Sequence, residues 1–234
     1  MEHKIIPLTI TMLFGNIENT IHPTLLLDKE SIVLVDCGFV GSLPVIEKEL
    51  QKYGISAKQI TDIILTHHDH DHMGAVAAFK KLNPKIKIHA SAKEAPYISA
   101  QEKPLRLNQA EEMQKVLPFE QKAFGEAFCE MLRRVEPVQV DWLLYGDEVL
   151  NWCGGCQVIL TPGHTPGHIS LFMKEKNIII TGDAIALEDG VPVIANPQFT
   201  LDLEKARESM EKLLDIKADA YFCYHGGENL NGIK

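Results

Sequence analysis

Four times in this chain an apolar, β-rich run ends on a histidine or aspartate set beside glycine or proline. Ile60 to Leu65 runs into Thr66-His67-His68-Asp69-His70-Asp71-His72-Met73-Gly74. Gln157 to Thr161 runs into Pro162-Gly163-His164-Thr165-Pro166-Gly167-His168. Ile178 to Thr181 runs into Gly182-Asp183, and Tyr221 to Tyr224 runs into His225-Gly226-Gly227. Glycine and proline let the backbone turn sharply, so side chains from separate strand ends can converge on one point. Imidazoles and carboxylates that converge this way suit a metal site with a coordination position left for water. The chain has ten histidines, and four of them fall between His67 and His72 with two aspartates among them.

The remaining pattern places these loops in an α/β fold. Thr24 to Leu27 and Ser31 to Val35, separated by Asp28-Lys29-Glu30, predict a hairpin, and Asp36-Cys37-Gly38 ends its second strand. Leu43, Ile46, Leu50 and Tyr53 recur at helical spacing, with Gly54 as the stop. A helix from Gly74 to Leu82 and a strand from Lys85 to His89 follow. Residues 91 to about 137 carry helical periodicity and little strand signal, and read as a helical insert. Its clearest helix is Phe119 to Val135, bracketed by Pro118 and Pro137. Strands return at Glu148 to Trp152, Gln157 to Thr161, Ile169 to Met173 and Ile178 to Thr181. A helix from Leu203 to Leu214 with Asp202 as N-cap precedes the last strand, Tyr221 to Tyr224. Strands and helices in both halves suggest two sheets face to face with helices outside, in a single domain spanning residues 1–234.

In order and form, the four motifs resemble the metallo-β-lactamase superfamily, whose pattern is His-x-His-x-Asp-His, a Pro-Gly-His, a Gly-Asp and a late His. The resemblance runs from about Leu8 to Gly227 and implies a four-layer αββα sandwich. Matched on Asp71-His72, it implies a first metal on His67, Asp69 and His164, and a second on Asp71, His72 and His225, with Asp183 bridging. Asp69 stands where the family usually has its second histidine. Shifting the register to His68 and His70 would put His72 in the aspartate place and Met73, a poor ligand, in the last histidine place. Two divalent ions are therefore expected, zinc first, with manganese or iron as alternatives because a carboxylate is harder than imidazole. In this reading Asp71 is also catalytic: it orients the attacking hydroxide and passes a proton to the leaving group.

Composition narrows the function. A formal charge of -9 argues against a nucleic-acid binder. No apolar run reaches the roughly 18 residues of a membrane span, and no export leader is evident, so a cytoplasmic protein without membrane partners is expected. The leading expectation is a metal-dependent hydrolase of a small-molecule ester, lactone or thioester. One alternative is a diiron redox enzyme resembling the catalytic domain of flavodiiron proteins, which carry a carboxylate at the place of Asp69. Another is a non-catalytic metal-binding protein. Phe119, Phe124, Phe128 and Tyr224 are the candidate substrate contacts, and Met131 would add to an apolar pocket. The insert could equally form a homodimer contact. His68, His70, His168 and His22 are expected outside the ligand set. Cys153 and Cys156, around Gly154-Gly155, are expected in a hairpin rather than a redox motif.

Overall fold

The computed structural model describes residues 3–229. The chain opens with β1 (Lys4–Pro7), a hairpin of β2 (Ile10–Phe14) and β3 (Ile17–Ile21), and a second pair, β4 (Thr24–Leu27) and β5 (Ile32–Val35). Helix α1 (Leu43–Gln51) leads to β6 (Asp62–Leu65), α2 (His70–Met73), α3 (Val76–Leu82) and β7 (Lys87–Ser91). The insert holds α4 (Ala95–Ile98), α5 (Leu105–Val116) and α6 (Phe119–Arg133). Then come β8 (Trp142–Leu144), β9 (Val149–Leu150), β10 (Cys156–Leu160), β11 (Ile169–Met173) and β12 (Ile178–Gly182). A small pair, β13 (Ala186–Glu188) and β14 (Val191–Val193), precedes α7 (Leu203–Leu214), β15 (Ala220–Cys223) and β16 (Gly227–Asn229).

Two six-stranded sheets result, in the orders β1-β4-β5-β6-β7-β8 and β16-β15-β12-β11-β10-β9. In the first, β5 through β8 run parallel, with Leu34 opposite Ile63. In the second, only β12 and β15 are parallel. Strand alternation divides the core into layers. Val33, Val35 and Ile64 of the first sheet face Val158, Leu171, Ile180 and Phe222 of the second. Their neighbours point outward: Leu34, Ile63 and Ile88 pack with Ile46, Leu50 and Phe79 of α1 and α3. On the opposite side Ile159, Ile179 and Tyr221 pack with Leu213 of α7. The order is therefore helix, sheet, sheet, helix, the expected αββα sandwich. Each fully buried aliphatic side chain stabilises it by about 1.5–3 kcal/mol.

Most predicted elements lie where the sequence places them, and the shifts have local causes. The strand expected at Lys85 to His89 begins instead at Lys87, because Asn83 holds a turn: its side chain accepts from Lys85 N at 3.1 Å and its carbonyl from Ile86 N at 3.1 Å. The strand expected over Glu148 to Trp152 shrinks to Val149–Leu150. Glu148 turns back to accept from the amides of Tyr145 and Gly146, and Trp152 begins a turn closed by Gly155 N at 2.9 Å. Cys153 lies within that turn and Cys156 follows it, and the five cysteines are free and buried.

Candidate metal centre

The predicted ligands meet at one edge of the sandwich, beyond the carboxyl ends of their strands. Asp36 follows β5, His67 to His72 follow β6, His164 follows β10, Asp183 follows β12 and His225 follows β15. Open α/β sheets place ligands at such ends. Ligand atoms group as His67, Asp69 and His164; as Asp71, His72 and His225; and as His67, His72 and Asp183, each set within 4.8 Å.

The second cluster has the chemistry of a cation hole. Asp36 Oδ2 accepts from His72 Nδ1 at 2.8 Å, so His72 Nε2 is a bare lone pair, 3.1 Å from Asp183 Oδ1. His225 Nε2 lies 3.3 Å from Asp71 Oδ2 and 3.4 Å from Asp183 Oδ1. His72 Nε2, His225 Nε2 and Asp183 Oδ1 are buried with no hydrogen-bond partner. Burial opposes charge on His225, yet Asp183 and Asp71 outweigh it and push its pKa up to about 10. Burial also works against the Asp71 charge, but His70, His72 and His225 hold its carboxyl well below the usual range. Two carboxylates and two imidazoles that converge here, with three donor atoms lacking any hydrogen-bond partner, fit a divalent ion.

The first cluster differs. Arg106, from the first turn of α5, directs both Nε and Nη2 at Asp69 Oδ2, at 3.0 and 2.6 Å. Its Nη2 also lies 3.3 Å from His164 Nε2. Burial would raise the Asp69 pKa, but the guanidinium and the two histidines hold it well below the carboxylate range. His67 Nε2 is bare, because the Thr66 hydroxyl gives its proton to Asp36 Oδ2 and accepts from His67 Nδ1 at 3.0 Å.

Two further groups brace the loops. Glu94, fully buried at the start of α4, accepts from His68 N, His68 Nδ1, Thr165 Oγ1 and Gly167 N. It thereby ties the His67–His72 loop to the His164 loop. His168 Nε2 accepts from Asp183 N at 2.9 Å, so its Nδ1 donates to Thr161 Oγ1 at 2.8 Å. Burial keeps His168 neutral, its pKa well below the usual value. Gly182 (φ +54) makes this contact possible, since a Cβ there would lie 2.6 Å from His168 Nε2.

Above the centre lies a cavity of about 470 Å³, floored by Asp69, Asp71, His164, Asp183 and His225. Its walls are Phe14 and Ile17 of the first hairpin, Phe39, Phe124, Phe128 and Met131 of α6, and Phe199. Phe124 and Phe128 are part of this lining, although Phe124 is 77% exposed. Phe119 is not: it is 87% exposed and outside the lining, on a first turn of α6 whose residues are all exposed. Tyr224 is also placed differently. It is buried, stacks on His72 with ring centres 3.8 Å apart, and donates its hydroxyl to Asp71 O at 2.5 Å. It supports ligands rather than facing the cavity. His70 lines the cavity, His68 belongs to the Glu94 brace, and His22 donates from Nδ1 to Leu8 O outside it.

Sequence reasoning missed Arg106 and Glu94, and noted Asp36 without giving it a role. A charged residue between leucines, Leu105-Arg106-Leu107, was the only local signal for Arg106.

The description "Metallo-beta-lactamase superfamily" fits residues 19–225 of the chain. The chain belongs to the metallo-β-lactamase superfamily. It is 29% identical over 213 residues to the probable metallo-hydrolase YflN of Bacillus subtilis, covering 85% of this chain and 76% of that one. Its fold matches a metallo-beta-lactamase family protein, TTHA1429 of Thermus thermophilus, with a TM-score of 0.77 at 23% identity, over 97% of this chain and 75% of that one. It also matches AidC, a dizinc quorum-quenching lactonase in complex with a product, with a TM-score of 0.64 at 26% identity, over 93% and 77% of the two chains. Superfamily members bind divalent metals, and the clusters here are able to hold one.

Proposed function

We propose that this chain is a metal-dependent hydrolase of a small ester, lactone or thioester with an apolar acyl part. The observation that carries the reading is the bare, buried set of His72 Nε2, His225 Nε2 and Asp183 Oδ1 beneath an aromatic cavity. Likeness to a lactonase and to a metallo-hydrolase supports the same class.

Asp71, His72, Asp183 and His225 would hold a divalent ion. Such an ion supplies Lewis acidity and lowers the pKa of a coordinated water. The chain does the rest. Phe14, Phe128 and Met131 bind the acyl part. Asp71, facing the cavity and anionic at neutral pH, takes the proton that water loses as its oxygen bonds to the carbonyl carbon. It returns that proton to the leaving alkoxide or thiolate as the tetrahedral adduct collapses and the ester bond breaks. Water is consumed, and an acid plus an alcohol or thiol is released.

The test is a panel of aryl esters, lactones of graded chain length and thioesters, with Asp71→Asn and Asp183→Ala beside the wild type. Turnover by the wild type and a loss of about 10²–10⁴-fold in Asp71→Asn are expected, the span of general acid–base catalysis. Turnover unchanged in Asp183→Ala would overturn the reading. Iron in the purified protein with oxygen consumption, and no turnover on the panel, would favour the diiron alternative.

A further inference from the structure

The hydrolase reading needs a divalent ion at the second cluster, and the superfamily pattern leads one to expect another at the first. The surroundings of Arg106 argue against that second ion. All five guanidinium N–H groups have acceptors. Nε–H goes to Asp69 Oδ2, the two Nη1 protons to Gln109 Oε1 and Phe199 O, and the two Nη2 protons to Asp69 Oδ2 and His164 Nε2. The side chain is 4% exposed and lies over the Phe199 ring, 5.2 Å from its centre. Nothing in this arrangement resembles a surface arginine resting on a nearby carboxylate.

The acceptors define what is required at the cluster. The Thr200 hydroxyl donates to Ala195 O at 3.2 Å and receives His164 Nδ1–H at 3.4 Å. His164 Nε2 is therefore a lone pair, and it stands 3.1 Å from the anionic Asp69 Oδ2. Two electron-rich atoms that close need a shared positive group. In a metal site the ion provides it. Here Nη2 donates to both. Arginine cannot be deprotonated in a protein, so this charge is permanent. Asp69 and Arg106 together are neutral, and a divalent ion on the same atoms would be a second cation beside a guanidinium, among side chains that are almost fully buried. The departure from histidine at Asp69 then has a physical reason: an imidazole there could not accept two guanidinium N–H groups, and a carboxylate can.

We infer that the Arg106 guanidinium is the resident cation of the first cluster, so that the chain binds one divalent ion, held by Asp71, His72, Asp183 and His225. Arg106 is on this account a positioning residue. It fixes Asp69 and His164 in the floor of the cavity and sets the metal stoichiometry.

The inference rests on the reading of the second cluster as a metal site, and the experiment separates the two. Protein purified without chelator is saturated with zinc, or in parallel with manganese, then desalted, and metal per chain is measured by elemental mass spectrometry. The wild type should retain about one ion per chain. His67→Ala should retain the same amount and His225→Ala should lose it, arms that leave Arg106 untouched. Arg106→Ala, checked for a native circular dichroism spectrum, should rise to about two ions per chain as Asp69, His67 and His164 become free to ligate. About two ions in the wild type, or a drop in His67→Ala equal to that in His225→Ala, would overturn this inference and leave the hydrolase reading standing. No retained metal in the wild type would overturn both.

Discussion

Asp36 Oδ2 lies 2.8 Å from His72 Nδ1, and that single contact decides which nitrogen of His72 faces the metal centre. Asp36 adopts φ +60, a conformation most side chains avoid, and Thr66 holds it there through its amide and its hydroxyl, both at 2.8 Å. Asp36→Asn keeps the shape and tolerates positive φ, but it loses the charge that fixes the imidazole. Metal affinity should fall about 10–100-fold, read by competition with a chromophoric chelator.

Glu94 should matter for stability rather than for substrate. Glu94→Ala removes a buried carboxylate from under four donors and is expected to cost about 3–5 kcal/mol in urea denaturation. The pH dependence has a definite sign. Burial would raise the Glu94 pKa, but His68 and the Thr165 hydroxyl hold it below the usual value. Its contribution is therefore complete above the unfolded-state pKa, about 4.3, and fades as pH falls through the lower folded value. Between about pH 5 and pH 2 the wild type should lose more of its stability than Glu94→Gln does.

The cavity walls predict chain-length selectivity. Phe128→Ala and Met131→Ala should raise KM for long acyl substrates by about tenfold each, as expected for about 1.4 kcal/mol of lost apolar contact, while acetyl substrates are little affected. Phe119→Ser, on an exposed side chain, should leave both KM and kcat unchanged.

Tyr224→Phe separates a supporting residue from a substrate contact. The hydroxyl reaches Asp71 O and not the cavity. Stability should drop by about 0.5–1.5 kcal/mol, with KM unchanged across the substrate panel.

The ligand loops could be read from the sequence because each sits at a strand end, where apolar runs, turn residues and ligand-type side chains are adjacent along the chain. The layers could be read because strand-like and helix-like runs occur in both halves of the chain, although which side of a strand such as Val33-Leu34-Val35 faces the other sheet could not, since all three residues are apolar. Arg106 and Glu94 could not. Each is defined by partners far away in sequence: Asp69, His164 and Phe199 for one, Thr165 and Gly167 for the other. Phe119 was misplaced because helical spacing shows which residues share a face, but not whether anything packs against it. The α6 stripe that is buried, Cys129 and Leu132, meets only α5 and its surroundings.

The central claim is that the side chains of Asp71, His72, Asp183 and His225 hold a catalytic divalent ion. The most direct measurement is anomalous X-ray diffraction at the zinc edge, on crystals of zinc-saturated protein. The account predicts a strong peak among those four side chains. A map with no peak there would contradict it.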